Sequence, residues 1–254
     1  MRLLFLTLCL ALGGAAAAQP VAVPAAGTVT VGTSGSRVSG SGKLVDEVRT
    51  PGTFSAVRIS GPIDVQLRAS EREQVSVHFD DNLLGFVETR LGSDSTPTLE
   101  IRLQPGANFR SAENPQVTVE FKSISALGVN GSGDVQADTV RGPLLAVSIA
   151  GSGDVKIDRL DVDVLGVAIA GSGDFTAAGR AAEQGFSIAG SGDINADNLF
   201  GQTVKVRIAG NGDARVNAEQ MLTVSIAGSG DVVYRGTPTI KKSIVGTGEV
   251  RKSR

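Results

Sequence analysis

The sequence predicts an all-β chain wound into a parallel solenoid with coils of about 18–20 residues, and three observations carry the prediction. The unit Gly-Ser-Gly-Asp returns at 131–134, 151–154, 171–174, 190–193 and 228–231, with Gly-Asn-Gly-Asp at 210–213 and Gly-Thr-Gly-Glu at 246–249. The starts lie 20, 20, 19, 20, 18 and 18 residues apart, a spacing that marks a stack of like units, each touching its neighbours. On both sides of every unit apolar and polar residues alternate, which is the pattern of half-buried strands.

Met1-Arg2, the apolar run Leu3 to Leu12 and Ala16-Ala17-Ala18 before Gln19 read as a signal peptide over 1–18. The run is too short to span a bilayer, so no membrane span is expected after cleavage. Cys9, the only cysteine, lies inside the apolar run and leaves with the peptide, so no disulfide is expected. Export to the periplasm, the outer-membrane surface or the medium follows.

Residues 19–45 are rich in Gly, Ser, Thr, Ala and Pro, and read as a linker or a loosely held first strand. From 46 to 252 the chain reads as one domain. Its first part alternates in short runs: Val57, Ile59; Ile63, Val65, Leu67; Val75, Val77, Phe79; Leu99, Ile101, Leu103; Val117, Val119, Phe121. Gly, Pro, Asp and Asn separate these runs, as expected of turns between strands.

The repeats assign each position a place. Two residues before the first glycine stand Val129, Ile149, Ile169, Ile188, Ile208, Ile226 and Ile244; four before it stand Val147, Val167, Phe186, Val206 and Val224, with Lys242 breaking the column. One residue after the acid come Val135, Val155, Phe175, Ile194, Ala214, Val232 and Val250. Stacked coils turn these columns into interior ladders at the ~4.8 Å strand spacing. The glycines are expected to provide positive φ at a tight corner, with Ser and Asp bonding nearby backbone N–H groups.

The acids Asp134, Asp154, Asp174, Asp193, Asp213, Asp231 and Glu249 would then stand in a row, about 5 Å apart, each pair repelling by about 1 kcal/mol even in bulk water. Corner N–H groups would offset this, and bound Ca²⁺ is the alternative. Calcium needs six to eight oxygens, however, and one acid per turn supplies few.

Nothing in the residues assembles a catalytic, cofactor-binding or metal-binding constellation. The single histidine, His78, sits on a strand facing away from the aliphatics, and the chain has no tryptophan and one tyrosine. Gly128-x-x-Gly131-x-Gly133 has the spacing of a dinucleotide fingerprint but no helix after it. With 24 basic and 26 acidic residues there is no basic bias for nucleic acid. The reading is a structural or binding role in the cell envelope, its partner an envelope glycan or protein or a second copy. The alternative is a β-helix enzyme acting on envelope or extracellular polysaccharide, which would need a cleft of convergent acids and bases.

The order of motifs resembles a known family. Phe54-Ser-Ala-Val-Arg-Ile-Ser-Gly-Pro-Ile-Asp-Val65, then Asp81-Asn82-Leu83-Leu84, then Leu99-Glu-Ile-Arg-Leu103, then the repeats, is similar to the "putative auto-transporter adhesin, head GIN domain" family over about 46–252. The resemblance implies a right-handed parallel β-helix in an exported protein without established activity, and an adhesin-like role.

Overall fold

The computed structural model describes residues 37–92 and 96–253. The expected signal peptide, Cys9 and most of the expected linker lie outside the described residues. Nine short strands come first: β1 (Val38–Ser39), β2 (Leu44–Arg49), β3 (Ala56–Ser60), β4 (Asp64–Ala69), β5 (Gln74–Asp80), β6 (Val87–Leu91), β7 (Thr98–Leu103), β8 (Phe109–Arg110) and β9 (Gln116–Phe121). β10 (Ala126–Gly131) leads into five long strands, β11 (Val135–Gly151), β12 (Val155–Gly171), β13 (Phe175–Gly190), β14 (Ile194–Gly210) and β15 (Ala214–Gly228). The last turn is divided among β16 (Val232–Arg235), β17 (Thr239–Gly246) and β18 (Val250–Lys252).

Each long strand is one coil, paired in parallel with the coils before and after it, and together they form a β-solenoid of about 6 turns. Burial along β12 shows how a coil closes. Val155 and Ile157 point in, Asp158 and Arg159 are both exposed, Leu160 and Val162 point in, Asp163 and Val164 are both exposed, and Leu165, Val167 and Ile169 point in. Side chains alternate strictly along a flat strand, so two successive exposed residues mark a bend. Two such bends and the Gly-x-Gly corner give three faces around one aliphatic interior. Spacings shorter than 20 are absorbed at or near the bends, where the register slips between Ile157 and Leu160 and between Ala196 and Phe200, and the glycine corners keep their alignment.

The predicted columns are the interior ladders as far as Ile226 and Val232, and their last members, Ile244 and Val250, are half-buried at the end of the stack. Ile149, Ile169, Ile188, Ile208 and Ile226 are each at most 2% exposed, and Val155, Phe175, Ile194, Ala214 and Val232 at most 1%. One column contains a polar residue: Leu145, Leu165, Gln184, Val204 and Leu222 stack in register. The Gln184 Nε2 donates to the carbonyls of Ala181 and Leu199, near where the register slips, and Gly201 leaves room for its side chain.

Stacking also explains the glycines, and it corrects one expectation. The first glycine of each corner has positive φ, for example +141° at Gly190, as expected. The second glycine is not in that region. It is required because it lies directly on the backbone of the preceding corner: a Cβ on Gly192 would stand 2.1 Å from the Gly173 carbonyl oxygen and 3.0 Å from Ile169 Cγ2.

The first turn is built differently from the repeats. β2 pairs antiparallel with β5, β5 with β9, and β6 with β7. Phe79 meets Phe109 edge-on with centroids 5.6 Å apart, and Phe86 packs on Phe109 in a tilted arrangement at 5.6 Å. The Asp81-Asn82 motif of the family pattern, with its neighbour Asp80, clamps the strap between β1 and β2. Asp80 accepts from the Gly42 N–H and the Ser111 hydroxyl, Asn82 binds Ser39 and Ser41, and Asp81 accepts from the Ser41 hydroxyl at 2.6 Å. That hydroxyl, aided by Lys43, holds the Asp81 carboxyl below the usual carboxylate range.

Three variants test this packing. Ile188→Ala should cost about 2–5 kcal/mol in a denaturant melt, because neighbouring coils prevent collapse of the cavity. Ser187→Ala, exposed on the same strand, should fall within about 0.5 kcal/mol of the parent. Gly192→Val should cost about 3 kcal/mol or more through overpacking against the Gly173 backbone. A tolerant Ile188 beside an intolerant Ser187 would reverse the inward face.

Candidate functional site

The acid row is the most regular chemical feature of the surface, and its geometry gives it a structural task. At each corner the backbone N–H of the acid donates to the Oδ1 of the acid one coil earlier: Asp154 to Asp134 at 3.0 Å, Asp174 to Asp154 at 2.9 Å, Asp193 to Asp174 at 2.8 Å, Asp213 to Asp193 at 2.8 Å. Asp231 and Glu249 continue the chain at 2.7 and 2.8 Å. The residue following each acid bonds normally to the backbone of the next coil, as Val155 N–H does to the Asp174 carbonyl at 2.9 Å. The carboxylate therefore supplies the acceptor at a single step of the ladder. Hydrogen bonds to a charged group are stronger than neutral ones, which offsets the repulsion along the row.

The row begins one coil earlier than the repeat motif reveals. Asp134 N–H donates to Asp64 at 3.1 Å, and Gly61 lies beneath Gly131. Gly61-Pro62-Ile63-Asp64 is thus the same corner with Ile63 in place of the second glycine. The glycine-to-acid spacing and the alternation on both sides were the available signals.

His78 faces outward as predicted, but it is not alone. Its Nδ1 lies 2.9 Å from Asp46 Oδ1 on the antiparallel neighbour β2, with the histidine side chain 39% exposed. The pair stands at one end of a polar groove of about 600 Å³, floored by Val65, Val117 and Val135, with Asp64, Asp134 and Asp154 along it. Ser76 shares the face, yet no hydrogen bond joins it to His78, so the residues do not assemble a nucleophile and base. Further along, Gln136 and Lys156 hold the Asp158 carboxyl below the ordinary carboxylate range. Among the described residues no group of three or more His, Cys, Asp or Glu is placed to hold a metal ion.

A second concavity, of about 850 Å³, lies on the sheet face that precedes the corners. Its floor is a strip of Ala, Gly and Ser from β10 to β13, and Lys205 and Arg207 stand at one end. Gly128 lies within β10 and Gly131 at its corner, where a Cβ on Gly131 would meet the Gly61 backbone at 2.9 Å, and a strand rather than a helix follows them.

The family model of the "Putative auto-transporter adhesin, head GIN domain" matches residues 53–238, most of the chain. The chain belongs to this family. Solved structures of similar fold include a "putative adhesin" from Bacteroides fragilis, 23% identical with a TM-score of 0.81, covering 85% of this chain and 100% of that one. A "putative lipid binding protein" from Parabacteroides distasonis is 25% identical with a TM-score of 0.69, and a "putative adhesin" from the same species 26% identical with a TM-score of 0.70; each covers 86% of this chain and 100% of its own. Among curated proteins none matches the sequence.

Within this head-domain architecture the acid row should behave as part of the backbone. Asp174→Ala should cost about 1–2 kcal/mol in a denaturant melt, whereas Asp174→Asn, which keeps the acceptor, should cost less than about 0.5 kcal/mol. Millimolar Ca²⁺ should leave the melting temperature nearly unchanged, since only binding to the native state would raise it. A rise of several degrees, abolished by Asp174→Asn with Asp193→Asn, would assign the row to calcium.

Proposed function

We propose that the protein is an exported binding module of the cell envelope, adhesin-like and without catalysis. The observation that carries this reading is the commitment of the acid row to coil stacking. The residues that look most like chemistry in the sequence hold the scaffold, and the faces left over are broad, rigid and polar. A rigid sheet surface orders few side chains on binding, so it loses little entropy when a partner lies along it. Membership in an adhesin head family supports the same reading, as do the names of the neighbouring structures. Export is supported by the amino-terminal pattern of charge, apolar run and small residues.

The alternative of a polysaccharide-degrading β-helix requires an acid and a base converging on one bond. The carboxylates of the row stand in single file, and those from Asp64 to Asp231 already accept from a backbone N–H. A second binding reading is favoured by the Ala/Gly strip. Lys205 and Arg207, which have no ion-pair partner among the described residues, would take the head group of an anionic amphiphile whose chain lies on the strip. The likeness to a "putative lipid binding protein" supports it.

Beads carrying the purified protein should retain bacterial envelope fragments without releasing soluble sugar. Lys205→Glu with Arg207→Glu separates the two binding readings, since only amphiphile binding should be lost. Failure to retain envelope material, or steady release of reducing ends, would overturn the proposal.

A further inference from the structure

The groove beside His78 differs from the rest of the acid row in what stands next to it. Two outward columns run side by side across β2, β5, β9, β4, β11 and β12. The first is Asp46, His78, Gln116, Asp64, Asp134 and Asp154, each opposite the next on the neighbouring strand or joined to it by the corner hydrogen bond. The second is Ser76, Thr118, Gln66, Gln136 and Lys156, likewise paired across β5, β9, β4, β11 and β12. Further down the solenoid both columns continue, the second through Thr176, Asn195 and Arg215, but these residues lie outside the concavity.

The amides are held at one end and open at the other. Gln66 Oε1 accepts from Arg68 at 2.8 Å, and among the described residues its NH₂ has no protein partner. Gln136 Nε2 donates to Asp158 at 3.2 Å, and its carbonyl oxygen has no partner among the described residues. The carboxylates of Asp64, Asp134 and Asp154 use Oδ1 for the corner bonds and have no cation paired with them among the described residues; Lys156 is bound to Asp158 at 3.2 Å. Planar amides and carboxylates set side by side present matched donors and acceptors to adjacent hydroxyls. The volume of about 600 Å³ is that of a ligand site.

We infer that this groove binds an extended, non-acidic glycan lying across the strands, one sugar residue to about one strand; the inference rests on the binding role proposed above. The ~4.8 Å strand spacing is close to the length of one sugar unit in an extended β-linked chain, so successive units meet equivalent positions. The unpaired carboxylates repel uronate, sulfate and phosphate groups, which sets the class of ligand. No aromatic platform supports a single unit, so affinity accumulates along the chain rather than at one sugar.

The test is calorimetric titration of the purified protein with cellohexaose, N-acetylglucosamine hexamer and galacturonate hexamer, and with the two neutral disaccharides. A neutral hexamer should bind at least tenfold more tightly than its disaccharide, and the galacturonate hexamer should not bind. Gln66→Ala with Gln136→Ala should weaken the hexamer at least tenfold with an unchanged melting temperature, and Asn195→Ala, outside the groove, should bind as the parent does. Asp134→Asn keeps the corner acceptor and reports on the carboxylate alone; it should admit the acidic hexamer more readily than the parent. Hexamer binding that survives the double alanine variant, binding of galacturonate by the parent, or no neutral glycan binding at all would overturn the assignment. If envelope fragments are still retained in those cases, the binding role stands and only the groove is wrong; if they are not, the role itself fails.

Discussion

Each corner of this solenoid must lie directly on the backbone of the corner before it. A Cβ at either glycine of a repeat corner would stand between 2.0 and 2.9 Å from a backbone oxygen of the previous coil, a distance no side chain tolerates. That contact fixes the alignment of successive coils, and the rest follows. With corners superposed, Ile falls on Ile and Val on Val, interior ladders form without gaps, and differences in coil length are displaced to or near the two other bends. Apolar burial supplies the energy, at roughly 25 cal/mol per Å² removed from water, but the corners decide which residues are buried together.

The same alignment determines what the acids do. At the corner one N–H per coil finds no backbone carbonyl within the ladder, and the carboxylate beneath it takes that place. The row therefore works as a continuation of the backbone hydrogen-bond ladder in side-chain form, which explains why aspartate recurs and why its reach matters. Among the described residues none donates to the Glu249 carboxylate, and there the longer side chain is accommodated. With Oδ1 taken up at each corner, the row offers a partner only its outer oxygens, and the neighbouring columns, where amides, hydroxyls and small residues vary from coil to coil, supply the rest of the exposed chemistry.

Much of this was legible in the sequence because a solenoid converts spacing into position. The columns at fixed offsets from Gly-x-Gly-acid gave the inward residues from Val129 to Ile226 without reference to any distant contact. What escaped was non-local or irregular. The pairing of His78 with Asp46 depends on antiparallel strands of the first turn, which carry no repeat. Gln184 stands six residues before its corner glycine, the same offset as Leu145, Leu165, Val204 and Leu222, so its place is regular; what the spacing does not show is that the carbonyls of Ala181 and Leu199 satisfy a polar side chain there. Gly61-Pro62-Ile63-Asp64 escaped because one of its two glycines is Ile63. A tight corner predicts positive φ for both of its glycines, whereas at Gly192 close approach of the Gly173 backbone demands the same residue for a different reason.

The account stands on the corner bond from each acid's N–H to the carboxylate one coil earlier, and amide hydrogen exchange reads that bond residue by residue. In the parent protein the amides of Asp154, Asp174, Asp193 and Asp213 should exchange as slowly as the ladder amides beside them. In Asp174→Ala the Asp193 amide should lose protection by at least about tenfold, the equivalent of 1.4 kcal/mol, while Asp154 and Asp213 keep theirs. Fast exchange at these amides in the parent, or a protected Asp193 amide in Asp174→Ala, would contradict the structural role of the row.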